Sequence, residues 1–200
     1  MINPENIHCL ALNFKGVGID HEEPLYFVKA MSSLCYSGSV VSYPKNSHKM
    51  WTEVELGIIV AHDCKNICIE DAEKYIAGYT VCADITCENL YNRDHHLAFS
   101  KSRMNFCPVN NKIVEIPFSS LPNLSLVTQI NGITTQLGYM KDVKYDVQRS
   151  LSYISSITAL KKGDLILLGT PKGVENNQLF PGDHVRHVID NIGKLEYSIV

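Results

Sequence analysis

Two glutamates one residue apart, Glu53 and Glu55, lie in the run Trp51-Thr52-Glu53-Val54-Glu55-Leu56-Gly57-Ile58-Ile59-Val60. The apolar, β-branched character of this run reads as a strand, on which successive side chains face opposite ways. Both carboxylates therefore point to one side, and Val54, Leu56 and Ile58 point to the other, into a core. Neighbouring carboxylates repel, and burying them without a partner is costly. A hard divalent cation with oxygen ligands, Mg2+, Mn2+ or Ca2+, resolves the conflict. An exposed sheet edge with both glutamates solvated resolves it too, so the pair alone leaves both readings open.

Further along, Asp71 to Asp84 reads as a helix, a turn at Gly78 and a strand that ends on an acid. Asp84 is expected where that strand runs into a loop, a common place for functional groups. There it completes a set of three carboxylates and leaves positions for water and substrate. Ser100-Lys101-Ser102 and Leu168-Gly169-Thr170-Pro171-Lys172-Gly173-Val174 follow. The second is a strand and a tight turn fixed by Gly and Pro, whose backbone N–H groups and Thr170 hydroxyl can bind a carboxylate. Taken singly, Lys101 reads as a solvated lysine and Thr170-Pro171 as plain turn chemistry.

The elements that must position these groups are short apolar runs separated by Gly, Pro, Asn and Asp. Leu25–Val28, Glu53–Val60, Tyr79–Asp84, Ser125–Ile130, Leu165–Leu168 and His184–Ile189 read as strands. Glu70–Ile76 and Val147–Ile157 read as helices, and the first 45 residues are the least regular. Strands outnumber helices, so the fold class is β-rich α+β in one domain over residues 1–200. The 200 residues carry a net charge of -3 with no basic run, which argues against a nucleic-acid partner. No apolar stretch approaches the roughly 20 residues of a membrane span, and the start of the chain lacks a basic region followed by an apolar one. The expected location is the cytoplasm. Seven cysteines at scattered spacings argue against a disulfide framework and read as buried free thiols.

In their order these motifs resemble the fumarylacetoacetate hydrolase family. That family shows a Glu-x-Glu strand, a Gly-Tyr-x-x-x-x-Asp segment, a Lys-Ser pair before Cys-Pro, and Gly-Thr-Pro-x-Gly-Val. Here these are Glu53-Val54-Glu55, Gly78-Tyr79 through Asp84, Lys101-Ser102 with Cys107-Pro108, and Gly169 through Val174. Glu23 through Lys29 is similar to the family's early strand, and Asn131-Gly132 fits its central hairpin. The resemblance implies a mixed β-roll with few helices, usually a homodimer. It implies Mg2+ or Mn2+, sometimes Ca2+, on Glu53, Glu55 and Asp84. Lys101, Thr170 and the adjoining Gly169 would hold the oxo and carboxylate oxygens of a small 2-oxo acid. The first expectation is a metal-dependent C–C hydrolase of 2,4-dioxo acids of the acylpyruvate or fumarylpyruvate type. Decarboxylation or tautomerisation of oxaloacetate, or isomerisation, on the same scaffold is the alternative, and a silent metal-binding or ligand-binding homologue is the alternative of another class.

Two departures bear on the reaction. The hydrolases activate water with a His and a Glu on a short lid after an Asn-Tyr pair. Here Asn13-Phe14 matches the pair, the lid segment within residues 1–45 is shortened, and no His-x-x-Glu follows. His21, beside Glu22, is the nearest candidate base, but adjacent residues do not share a helix face. After Asp84 the family shows an arginine where this chain has Glu88, an acid that would repel an anionic substrate, act as an acid or base, or contact the metal. Arg93, Arg103, His95 and His96 lie nearby in sequence.

Overall fold

Alternation along two long strands decides the architecture. In the computed structural model, which describes residues 2–18, 22–45, 47–89 and 97–200, Met50–Val60 and Ile76–Cys87 pair antiparallel. One face of this pair carries Val54, Leu56, Ile58, Val81, Ala83 and Ile85, all fully buried in the main core. Each valine, leucine or isoleucine among them contributes about 1.5–3 kcal/mol by leaving water, so a register slip of one residue, which would turn this face outward, is strongly disfavoured. The opposite face carries Glu53, Glu55, Cys82, Asp84 and Thr86.

In chain order the strands are β1 (Ile7–Ala11), β2 (Leu25–Lys29), β3 (Leu34–Tyr36), β4 (Val40–Val41), β5 (Met50–Val60), β6 (Ile76–Cys87), β7 (Cys107–Val109), β8 (Ser125–Ile130), β9 (Ile133–Tyr139), β10 (Leu165–Leu167), β11 (His184–Ile189) and β12 (Gly193–Ile199). Seven form a mixed sheet in the order β2-β1-β10-β5-β6-β7-β3, and five form a second sheet in the order β4-β12-β11-β8-β9. In the first sheet β1 runs parallel to β10 and β3 parallel to β7, while the remaining pairs are antiparallel. The main core lies between the sheets, and a smaller cluster of Ile7, Cys9, Phe27, Cys82, Cys107 and Leu167 lies on the carboxylate face. This is the β-rich, mixed-sheet fold expected from the sequence.

Among the described residues two helices flank the sheets: α1 (Ala98–Lys101) and α2 (Val147–Ile157). The second starts at Asp146, whose side chain accepts from the Arg149 N–H at 2.8 Å as an N-cap. It buries Val147, Leu151 and Ile154 at helical spacing. The expected helix at Glu70–Ile76 is instead a 3-10 segment, Ile69–Tyr75, in which Ala72 alone is buried. It offers no apolar stripe for an α-helix to bury. The described part of the first 45 residues contains four short strands, of which one was expected. All seven thiols are free, and five are buried, but Cys64 is half-buried and Cys68 exposed. Among the described residues no helix is long and apolar enough to cross a membrane.

A buried polar network joins the sheets. His187 Nε2 is 2.9 Å from Thr52 Oγ1, and its Nδ1 is 3.1 Å from Thr128 Oγ1. Burial lowers the His187 pKa to about 3, so folding keeps this ring neutral. An imidazole depressed from about 6.5 contributes stability that is whole above 6.5 and lost as pH falls toward 3. The expected loss is about 1.4 kcal/mol per pH unit inside that window. His187→Gln should flatten the dependence of Tm on pH between 6.5 and 4, and an unchanged slope would assign the acid sensitivity elsewhere.

Candidate metal centre

β5 and β6 bring the acids together because their register sets Glu53 directly opposite Asp84 and Glu55 opposite Cys82. Oxygens of Glu53, Glu55 and Asp84 all lie within 4.8 Å of one another. Glu55 and Asp84 are buried and Glu53 half-buried. The solvated-edge reading of the glutamate pair is thereby excluded. Asp84 does not close its strand, as the sequence had suggested. It lies inside β6, because Ile85, Thr86 and Cys87 go on pairing with Thr52, Trp51 and Met50. The acid is therefore held by sheet hydrogen bonds on both sides.

Two lysines answer the negative charge. Lys101, at the end of α1, is buried, which overturns its reading as a solvated side chain. Its Nζ lies 2.5 Å from Asp84 Oδ2, 3.3 Å from both Glu53 oxygens and 2.9 Å from Thr86 Oγ1. Lys29, which sequence reasoning did not single out, places its Nζ 2.5 Å from Asp84 Oδ1. Phe27 and Lys29 are the inward residues of β2; a lysine in register with an inward phenylalanine was the available signal. Ser102 ties the two lysines' elements together, since its Oγ accepts from the Ala30 N–H at 3.0 Å.

These contacts set the protonation of the group. Burial pushes the Asp84 pKa up, but Lys101 and Lys29 outweigh it and hold the carboxyl below its ordinary value. Burial likewise works against charge on Lys101, but Asp84 and Glu53 prevail and keep its pKa above the usual range. Glu55 lacks such a partner. Burial first, then Asp84 and Glu53, raise its pKa well above the carboxylate range, against the opposing effects of Lys101 and the Gly169 N–H. Glu55 is the member whose ionisation a further cation would favour most.

The Gly169–Gly173 turn arrives from β10 on the same face. The Gly169 N–H donates to Glu55 Oε2 at 2.5 Å. With φ +88, and the Leu10 carbonyl 2.9 Å from where a Cβ would sit, position 169 requires glycine. Thr170 is buried, and its Oγ1 accepts from Gln136 Nε2 at 3.2 Å. The same Nε2 donates to the Pro171 carbonyl at 2.7 Å, and Gln136 Oε1 accepts from Thr128 and Asn177. Gln136 is the hub that fixes the turn. Gln136→Leu is expected to raise KM about tenfold, the equivalent of one hydrogen bond of 1–1.5 kcal/mol, with a smaller effect on kcat. Steady-state kinetics beside a Tm measurement checks this.

The remaining candidates fall outside the centre. Asn13 is a clasp, donating to the Tyr145 and Leu168 carbonyls and accepting from the Tyr145 N–H. Glu88 is not part of the ligand cluster; its backbone N–H donates to the Lys49 carbonyl, and its buried Oε2 has no hydrogen-bond partner among the described residues. Arg103 donates through Nε to Cys87 Sγ and the Phe99 carbonyl, and its guanidinium lies 4.4 Å from the Phe99 ring centroid. His21, Arg93, His95 and His96 lie outside the described residues.

Residues 8–200 match the family model described as fumarylacetoacetate (FAA) hydrolase C-terminal. The chain belongs to the fumarylacetoacetate hydrolase family. An uncharacterized protein of Methanocaldococcus jannaschii is 34% identical over 203 residues, covering 97% of this chain and 82% of the relative. The 4-hydroxyphenylacetate degradation bifunctional isomerase/decarboxylase of Escherichia coli is also 34% identical, over 200 residues, but the match spans 44% of that longer chain. Among solved structures, 2-hydroxyhepta-2,4-diene-1,7-dioate isomerase from Mycobacterium marinum superposes with a TM-score of 0.90 at 28% identity, covering all of this chain and 75% of that one. Members of the family include hydrolases and isomerase/decarboxylases. Beside these relatives, the fumarylacetoacetate hydrolase fold here carries an acidic cluster suited to a metal ion.

Proposed function

We propose that the protein is a divalent-metal-dependent enzyme that enolises a small 2-oxo acid and decarboxylates or isomerises it. The observation that carries this reading is the convergence of Glu53, Glu55 and Asp84, two of which, Glu53 and Asp84, are ion-paired to the Nζ of Lys101. The residues fit a hard cation. All the donors are oxygens, and burial first, then the neighbouring Asp84 and Glu53, raise the proton affinity of Glu55, a cost that a dication relieves. Glu53, Glu55 and Asp84 would hold Mg2+ or Mn2+, with Ca2+ suited to the same oxygens, and the bound ion supplies Lewis-acid polarisation of the 2-oxo carbonyl.

The chain's own residues do the rest. Lys101 stays cationic at neutral pH and sets a fixed positive charge beside the substrate oxygen on which negative charge develops. The Thr170 hydroxyl, whose oxygen already accepts from Gln136, turns its proton toward the substrate carboxylate. Gly169 holds Glu55 in place through its N–H. Decarboxylation and isomerisation need no attacking water, and the sequence offers no His-x-x-Glu to activate one. The named activities of the Escherichia coli relative support the same choice.

The family match favours a second reading, C–C hydrolysis of a 2,4-dioxo acid, which requires a base such as His21. NMR-monitored turnover of oxaloacetate and acetylpyruvate, with Mg2+ or Mn2+ and with EDTA, separates the two. The expected result is metal-dependent CO2 release or keto–enol exchange on oxaloacetate, with acetylpyruvate intact. Acetate release from acetylpyruvate would establish hydrolysis and make His21→Ala the next variant. Silence toward both substrates, with metal bound, would indicate a ligand-binding homologue and overturn the proposal.

A further inference from the structure

Three residues of the second sheet lie in one row across adjacent strands. His187 of β11 stands opposite Thr128 of β8, and Thr128 stands opposite Gln136 of β9. Residues directly opposite one another share a face of the sheet, and all three are buried. At one end of the row Gln136 reaches the turn that carries Thr170. At the other end His187 Nε2 lies 2.9 Å from Thr52 Oγ1 and 3.2 Å from the Tyr197 hydroxyl. Thr52 immediately precedes Glu53 in β5, so the row joins the strand of the metal ligands to the turn of the carboxylate-binding hydroxyl.

Backbone carbonyls, which only accept, fix the direction of the bonds along this row. The Pro171 carbonyl, 2.7 Å from Gln136 Nε2, demands a donor there, so Oε1 faces Thr128. A flipped amide would set Oε1 against that carbonyl. The Thr52 carbonyl orients Asn177 in the same way: Asn177 Nδ2 donates to it at 3.0 Å and to Gln136 Oε1 at 2.7 Å. An amide oxygen carries no proton, so the Thr128 hydroxyl gives its single proton to Gln136 Oε1, at 3.0 Å. Toward His187 Nδ1, 3.1 Å away, Thr128 is left as an acceptor. Nδ1 must then carry a proton. The ring is neutral, so Nε2 is bare and accepts from the Thr52 or the Tyr197 hydroxyl.

We infer that His187 is locked as its Nδ1–H tautomer and is a positioning residue for substrate binding, acting through Thr128 and Gln136 on the Thr170 hydroxyl. The inference rests on the proposed function, which gives Thr170 the substrate carboxylate. With the proton on Nε2 instead, Nδ1 would draw the Thr128 proton to itself, and Gln136 Oε1 would keep Asn177 as its donor and lose Thr128. The amide that holds Thr170 would then be fastened at one fewer point. In the Nδ1–H state every bond of the row runs toward the turn, Thr170 Oγ1 accepts from Gln136, and the Thr170 proton is left for the substrate.

The tautomer is read by heteronuclear NMR of the histidine ring nitrogens in the Mg2+-loaded wild-type protein near neutral pH, with the His187 signals identified by their loss in His187→Asn. The expected spectrum shows a slowly exchanging proton on Nδ1 and none on Nε2. Calorimetric titration with pyruvate in Mg2+ reads the positioning. His187→Leu, which keeps the bulk and deletes the donor, should weaken pyruvate about threefold, near the lower end of what one hydrogen bond supplies. His187→Asn places an amide N–H where Nδ1–H stood and should bind pyruvate as the wild type does. Both variants lose the acceptor for Thr52 and Tyr197 and should be destabilised, so an affinity that follows the Nδ1-like donor and not Tm separates positioning from a purely structural role. A proton on Nε2, or equal pyruvate affinity in the Leu and Asn variants, would overturn the inference. The spectrum is taken on the wild-type chain, so the inference stays open to refutation even if His187→Leu misfolds. Failure of pyruvate to bind the wild type in Mg2+ would overturn the proposed function and the positioning role with it, while the ring spectrum decided the tautomer independently.

Discussion

Asp84→Ala is expected to abolish turnover and to cost the fold about 3–5 kcal/mol. The carboxylate is 1% exposed and forms two ion pairs, with Lys29 and Lys101. Among the described residues, removing it leaves Lys29 without a carboxylate partner and Lys101 with Glu53 as its remaining one, at 3.3 Å. A buried ammonium without a counter-charge is among the costliest groups a core can hold. Both ends of the effect are measurable. Chemical denaturation gives the stability loss, and calorimetric titration with Mg2+ or Mn2+ gives the loss of metal binding. Glu53→Gln is the comparison, because its side chain is more exposed and its charge is shared among more donors, and it should weaken metal binding with a smaller stability loss. Wild-type stability in Asp84→Ala would mean that the lysines find other partners and that the ion pairs described here do not hold the centre.

Lys101→Met is expected to move two quantities in opposite directions. Its Nζ stands among the oxygens that a metal ion needs, 2.5 Å from Asp84 and 3.3 Å from Glu53. Deleting that charge removes a competitor, so the affinity for Mg2+ should rise. The methionine stem keeps the volume and the contact with the Phe27 ring, over which Nζ sits 5.4 Å from the centroid. Turnover should nevertheless fall by about 10²–10³, the usual effect of deleting one preorganised charge from a site where negative charge develops. Steady-state kinetics at saturating metal, read beside the metal isotherm, makes the comparison. A joint fall of metal affinity and kcat would instead make Lys101 a structural counter-ion.

The parts of this site legible in the sequence are those governed by local periodicity. Glu53 and Glu55 had to share a face once Val54, Leu56 and Ile58 demanded the other. Ser125–Ile130, His184–Ile189 and Val147–Ile157 end where the sequence places them, because Gly, Asn, Asp and Pro punctuate their flanks. What periodicity could not supply was burial imposed from far along the chain. Lys101 reads as a surface lysine until β6 sets Asp84 in front of it. Three-residue strands such as Leu34–Tyr36 and Cys107–Val109 are too short to show alternation, so the pairing that closes the first sheet was invisible. Gln136 gave no motif signal, although its position in β9 makes it the support of Thr170.

The separations along the chain within the centre imply an order of assembly. Glu53 and Asp84 meet across an antiparallel pair whose strands are joined by residues 61–75, a short loop to close. The turn that bonds Glu55 comes from Gly169, 114 positions away. Closing the longer loop costs about 1 kcal/mol more in chain entropy, and it must also wait for the second sheet, whose Gln136 fixes Thr170. During folding, then, the carboxylate pair across β5 and β6 is expected to form from near neighbours, with the turn that carries Gly169 and Thr170 added from afar. A divalent cation present in the refolding buffer should act early, stabilising the β5–β6 pair before the turn docks. Its effect should appear chiefly as faster folding, with the slower docking of the turn left to limit the recovery of activity.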